Sequence, residues 1–205
     1  MYLFFDTETT GLPRTYRASI KDLENWPRVV QLAWLSYNHS GKLLSENNYL
    51  IKPEGFIIPK EATKIHGITT KKALEDGHDL NVVLNQFARD VKKASLIVAH
   101  NIDFDEKIIT AEFFRKNINH SLNKKPKICT MRSSTDFCRI PTFYSKYKWP
   151  NLRELHTKLF NLDFEDAHNA LADVNACAKC FFELKKQRVI SCSSAKSIAD
   201  LVKNS

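Results

Sequence analysis

Tyr2-Leu3-Phe4-Phe5 runs straight into Asp6-Thr7-Glu8-Thr9-Thr10-Gly11, and no other stretch restricts the fold of this chain so strongly. The leading apolar run is aromatic-rich and too short for a helix, so it reads as a buried strand. Alternate side chains of a strand share a face, which points Asp6 and Glu8 the same way from the strand's tip. Two like charges so placed repel and desolvate each other unless a cation or a shared proton intervenes. Hard carboxylate oxygens suit magnesium or manganese. Two readings stand together: a cation site, or a strand end entering a polar turn with both acids in water. Acids arriving from elsewhere in the chain decide between them.

The chain has 205 residues, 43% of them hydrophobic, with mixed charge. That predicts one soluble globular domain with a sizeable core. No apolar run reaches membrane-spanning length, and an acid at position 6 argues against a signal peptide, so no membrane partner and a cytoplasmic location are expected. The net charge is +8, with 31 basic and 23 acidic side chains, which favours a polyanionic partner. Five cysteines without framework spacing read as reduced thiols. Cys177 and Cys180 form a C-x-x-C inside a helical apolar stripe, which reads as core packing rather than a zinc or redox motif.

Residues 12–28 read as a polar loop with one short helical turn. Val29–Tyr37 and Lys42–Ile51 are expected strands joined near Asn38–Gly41. A short helix at Lys60–Ile65 should stop at Gly67, and Thr70 is the expected cap of the next one. Asp79 should cap an amphipathic helix with Val82, Val83, Phe87 and Val91 on one side. Ser95–Ala99 reads as a strand covered on both faces, leading through His100-Asn101 into a helix over 103–118. A last strand over 127–131 and helices over 152–160 and 167–189 complete an α/β chain, a mixed sheet flanked by helices.

Two of these helices carry isolated acids. Asp103 has Glu106 and Lys107 as its helical neighbours and reads as a solvated cap, whereas Asp105 has Ile108 and Ile109 and leans on the apolar face. Asp173 lies on the stripe of Cys177, Cys180 and Leu184. A carboxylate in either position is costly without a partner. His168, five residues before Asp173, does not stack on it within one ideal helix; from a preceding loop or first turn it can reach the same site.

Together these residues resemble the DEDDh family of 3′–5′ exonucleases, the DnaQ-like group. FDTETTGL is similar to its first motif, HNIDFD to its second and HNALAD to its third, in order. The segment 57–69 resembles the epsilon proofreading subunit of bacterial DNA polymerase III. Asn169 stands where the tyrosine subclass carries Tyr, which favours the histidine subclass. The resemblance spans Met1 to about Val189, giving an exonuclease domain over 1–190 and a tail or short helix over 191–205.

The resemblance implies a ribonuclease-H-like fold with a five-stranded mixed sheet, and hydrolysis of single-stranded DNA from its 3′ end to nucleoside 5′-monophosphates, in proofreading or repair. RNA trimming and a catalytically weak polymerase accessory subunit are the alternatives. It implies two divalent cations, Mg2+ or Mn2+, held by Asp6, Glu8, Asp105 and Asp173, with His168 as general base. It places Thr9, Thr10, Gly11, Leu12, Ile65, His66 and Asn101 against the substrate. Leu12 and Ile65 serve either as wedges beside the last base or as ordinary core. The 12–28 stretch departs from the family by its length. Its Arg14, Arg17, Lys21 and Arg28 are candidate phosphate contacts, and Trp26 either stacks a base or folds under the loop. Tyr144, Lys146, Tyr147, Lys148 and Trp149 form a second basic-aromatic cluster. In the tail, Ile198, Leu201 and Val202 form a docking stripe for a polymerase subunit or belong to an unstructured end.

Overall fold

The computed structural model describes residues 1–143, 146–164 and 167–191. Tyr144, Cys192 and the tail stripe of Ile198, Leu201 and Val202 lie outside the described residues.

Strand β1 (Tyr2–Thr9) occupies the middle of a five-stranded mixed sheet. It pairs antiparallel with β2 (Val29–Tyr37), which pairs antiparallel with β3 (Leu43–Leu50) at one edge. On its other side β1 runs parallel to β4 (Leu96–Ala99), and β4 runs parallel to β5 (Lys127–Cys129), giving the order β3-β2-β1-β4-β5. The expected α/β sheet is therefore present, but β1 is longer than its apolar run. Pairing with β2 continues through Thr9, with a register slip between Glu8 and Thr9, so Asp6 and Glu8 lie inside the strand rather than at its tip. β4, by contrast, pairs with β1 only across Tyr2–Phe4, which leaves the outer half of β1 with an open edge.

Alternation along β1 divides the core. Leu3 and Phe5 face a layer made by α3 (Leu80–Lys93) and α4 (Ile102–Arg115), with Leu84, Phe87, Ile108 and Phe113 fully buried. Tyr2 and Phe4 face α8 (Ala170–Lys186), where Cys177, Cys180 and Phe181 pack in the core as their spacing predicted. Each fully buried large side chain contributes roughly 1.5–3 kcal/mol by leaving water. A third cluster joins Val30 to α1 (Lys60–His66) and α2 (Thr70–Asp76). Two one-turn helices, α5 (Thr130–Ser133) and α6 (Thr135–Cys138), follow β5 where a strand through Met131 was expected, and α7 (Leu152–Phe160) precedes α8.

Several boundaries differ from the sequence reading for local reasons. Thr69, not Thr70, caps α2 by accepting from the Lys72 N–H. Asp79 caps α3 as expected, but Val82 in its first turn faces water and only Val83, Phe87 and Val91 enter the core. Asp103 does not cap α4; the helix begins after Asn101, which takes the left-handed conformation (φ 66°), and Asp103 pairs with Arg132. No helix among the described residues is long and apolar enough to cross a membrane.

The 12–28 segment forms turns, with no helix, and is pinned at both ends. The Thr10 N–H donates to the Arg28 carbonyl at 2.9 Å, and the Arg28 N–H donates to Thr10 Oγ1 at 2.9 Å. Trp26 is 2% exposed and its Nε1 donates to the Ser19 carbonyl at 2.9 Å, so it folds under the loop and offers no face to a base. Arg115 from α4 donates to the Leu23 and Trp26 carbonyls at 2.6 and 2.7 Å. Glu112, fully buried, is held between Arg28 at 2.8 Å and Arg115 at 3.1 Å.

Candidate active site

Asp6 and Glu8 emerge from β1 on the face covered by α8, whose first turn supplies Asp173. One ligand oxygen from each of the three lies within 4.8 Å of the others. Asp105 comes from α4, on the opposite side of the sheet, and is 3% exposed. Its Oδ1 accepts from the Thr7 N–H at 3.1 Å and from Thr7 Oγ1 at 2.7 Å. Because β4 stops short, Thr7 lacks a β4 pairing partner, and the first turn of α4 occupies that gap. The sheet's early termination thus brings an acid from the second helical layer to the edge of the first group.

The carboxylates raise one another's pKa. Burial pushes Asp6 well above the ordinary range, reinforced by Asp105, Asp173 and Glu8. Burial, with Asp173 and Asp105, pushes Glu8 up to about 8. Asp105 is pushed up to about 7 by burial against the opposing pull of the two Thr7 hydrogen bonds. Asp173 is also raised by burial, opposed by His168 and Arg153. Burial dominates all four shifts; repulsion between carboxylates adds to those of Asp6, Glu8 and Asp105, whereas at Asp173 the positive charge of Arg153 offsets part of the rise.

His168 precedes α8 at φ 71°, exposed, and its N–H donates to Asp173 Oδ2 at 3.0 Å. It therefore belongs to the entry turn, the placement its five-residue offset from Asp173 required. Asn169 caps the helix by accepting from the Leu171 N–H, and Ala170 N–H reaches Gln31 Oε1 at 3.2 Å, tying this turn to β2.

A cavity of about 520 Å³ is lined by Asp6, Glu8, Asp105, His168 and Asp173, together with Leu12 and Asn101. Thr9, Thr10, Gly11, Ile65 and His66 lie outside this lining. Thr9 Oγ1 donates to the Gly11 carbonyl at 2.7 Å, and Gly11 sits at φ 142°, a backbone position that favours glycine. Leu12 and Ile65 are 74% and 59% exposed, which corrects the reading of either as core. Burial lowers the pKa of His66, opposed by the Thr9 backbone and aided by His168, so His66 stands close to both.

Sequence reasoning missed Thr7, Tyr16, Phe104 and Arg153, all on the cavity wall. Thr7 carried a signal in hindsight, since it separates two acids in a strand and its donor faces the sheet's other layer. Tyr16 and Arg153 carried none, because the 12–28 loop and α7 reach the cavity only through the fold. His100 also lines it, neutral, with burial pushing its pKa down to about 4 and its ring bonded to Thr130 and the Pro150 carbonyl. In the second basic-aromatic cluster, Lys148 is engaged by Glu154 at 2.6 Å, and exposed Trp149 lies under the Arg132 guanidinium.

This sheet, with acids converging from β1 and from a helix on each face, is the architecture of ribonuclease-H-like exonucleases. Residues 3–181 match the exonuclease family, and the chain belongs to it, as a hydrolase of the DnaQ-like 3′–5′ class. Among characterised proteins it is similar to the PolC-type DNA polymerase III of Streptococcus pyogenes serotype M2 (strain MGAS10270), 33% identical over 183 residues. It is 31% identical over 182 residues to that of Streptococcus sanguinis (strain SK36). Both matches cover 88% of this chain and 11% of the relative, so the chain spans about a tenth of those proteins' length. In fold it is similar to E. coli exonuclease I in complex with a dA16 oligonucleotide (TM-score 0.71, 19% identity, 92% of this chain and 42% of that one). A zinc-bound E. coli exonuclease I–ssDNA complex gives TM-score 0.72 at 20% identity, over 91% of this chain and 40% of that one.

Proposed function

We propose that this domain removes nucleoside 5′-monophosphates from the 3′ end of single-stranded DNA, using two divalent cations, Mg2+ or Mn2+. The observation that carries the reading is the convergence of Asp6, Glu8, Asp173 and Asp105, from three separate elements, into one cavity beside His168. The donor set fits such ions: hard oxygens from four carboxyls, held above their ordinary pKa chiefly by burial, whose charged forms a bound cation would favour. Asp6, Glu8 and Asp173 would hold one cation, and Asp6 with Asp105 the other. When bound, the cations offset charge on the attacking and leaving oxygens of a phosphoryl displacement.

The chain's own groups do the rest. Thr7 fixes Asp105 through two donors, so its carboxylate keeps one orientation. The His168 ring accepts the proton of the attacking water as general base, and the His168 N–H bond to Asp173 holds the turn that carries it. Exposed Leu12 offers an apolar edge to the terminal base, and Asn101 lines the same wall. The likeness to PolC-type polymerases favours proofreading beside a DNA polymerase as the setting. The net charge of +8 favours a nucleic acid partner outside the acidic pocket.

The test is digestion of 3′-labelled and 5′-labelled single strands, DNA and RNA of one sequence, with magnesium or manganese. Immediate release of the 3′ label as a mononucleotide, with stepwise shortening of the 5′-labelled DNA, is expected, and Asp6→Ala should lower the rate by at least about a thousand-fold. Cleavage of RNA alone overturns the substrate, and undiminished cleavage by Asp6→Ala overturns the site.

A further inference from the structure

The 12–28 loop closes a second cleft, of about 430 Å³, outside the acidic cavity. Leu12 lines both hollows, so the cleft begins where the catalytic cavity ends, across one exposed aliphatic side chain. Its charge is opposite in character. Arg14, Arg28 and Arg115 line it, with Glu24 as the acid on the same wall. Buried Glu112 is shared between Arg28 and Arg115, so two guanidiniums meet one carboxylate there. Arg14 is exposed and makes no ion pair among the described residues.

The cleft is also built rather than incidental. The Arg28 guanidinium lies 4.5 Å from the centre of the Phe56 ring, which fixes its plane while its Nε is held by Glu112. The loop bearing Arg14 is braced by Asn25, whose Oδ1 accepts from the Thr15 N–H at 2.8 Å and whose carbonyl accepts from the Arg14 N–H at 3.2 Å. Lys107 of α4 donates to the Tyr16 carbonyl at 2.8 Å. The preset Arg28 guanidinium suits a phosphate oxygen, because little of its side-chain freedom remains to be lost on binding, and Arg14 adds an exposed charge from a braced backbone.

We propose that this cleft binds the phosphate backbone of the single strand next to its terminal nucleotide, Arg14 and Arg28 taking the phosphate oxygens. The proposal deepens the exonuclease reading and rests on it for the strand's entry across Leu12. It makes the long loop a strand-holding element: the acidic cavity selects the end, and the cleft keeps the strand attached behind it.

The experiment measures binding of fluorescein-labelled dT12 to the whole chain in calcium, by anisotropy over 25–200 mM salt. Arg14→Ala should weaken dT12 binding by roughly five- to ten-fold and lower the salt slope by about 0.7, the share of one phosphate contact on a single strand. Phe56→Leu, which removes the ring under Arg28, should weaken dT12 in the same direction. Lys179→Glu, on exposed α8 surface, serves as the charge control and should leave the slope unchanged. Matching thermal melts establish that the Arg14 variant is folded. An unaltered dT12 affinity in Arg14→Ala, an equal loss of affinity in Lys179→Glu, or absence of dT12 binding by the unsubstituted chain overturns the cleft. Binding of dT12 with no cleavage in magnesium or manganese leaves the cleft standing and overturns the exonuclease reading instead.

Discussion

Replacing Thr7 by valine removes one oxygen from the site and leaves every proposed cation ligand in place. Valine has nearly the same shape and suits a strand, so packing around this buried position is preserved. What disappears is the 2.7 Å bond from Thr7 Oγ1 to Asp105 Oδ1, while the backbone N–H bond at 3.1 Å remains. A hydrogen bond to a charged group contributes about 1.5–3 kcal/mol. Thr7 and Asp105 are both buried, so water does not replace the lost donor. The charged form of Asp105, already disfavoured by burial, becomes less favoured still. The cost falls on cation binding, which needs that charge, and corresponds to roughly a ten- to hundred-fold rise in the half-saturating metal concentration. Titrating magnesium and manganese against hydrolysis of a labelled oligonucleotide, with calorimetric binding alongside, measures it directly. Thr7→Ser keeps the hydroxyl and should retain most of the affinity. If Thr7→Val matches the unsubstituted chain in both metals, Asp105 is no cation ligand and the second site is wrong.

The acid cluster should also write itself into stability against pH in EDTA. Native Glu8 and Asp105 bind protons up to about pH 8 and 7, whereas unfolded carboxylates release theirs near about pH 4. Their contribution is therefore full below about pH 4 and is lost as pH rises through those values, so urea midpoints should fall across that window and Glu8→Gln should flatten the fall. His100 acts in the opposite direction: its native pKa near 4 lies below the ordinary histidine value, so stability is lost as pH drops from about 6.5 toward 4, and His100→Gln should remove that part of the curve. Trp26→Ala should cost about 3–5 kcal/mol by emptying the space under the loop, read from urea unfolding. Trp26→Phe should cost only about 1 kcal/mol, the Nε1 bond to the Ser19 carbonyl. A Trp26→Ala midpoint equal to that of the unsubstituted chain would mean the loop is not anchored by this residue.

Local patterns announced much of this molecule. The apolar run before Asp6, the alternation in Val29–Tyr37, the isolated acids at 105 and 173 and the cap at Asp79 all depend on neighbours within a helical turn or two strand positions. Such features survive in the sequence because backbone geometry imposes their period, and they specified the sheet's central strands, the main helices and the acidic residues of the site. Decisions made between layers left no comparable trace. That β4 ends early enough for Asp105 to cross to Thr7, that Trp26 turns inward while Leu12 stays out, and that Tyr16 and Arg153 reach the cavity wall each depends on residues dozens of positions apart. A period of two or of 3.6 carries no information about such pairs. Only packing, by deciding which surfaces meet, settles which donors and charges become neighbours.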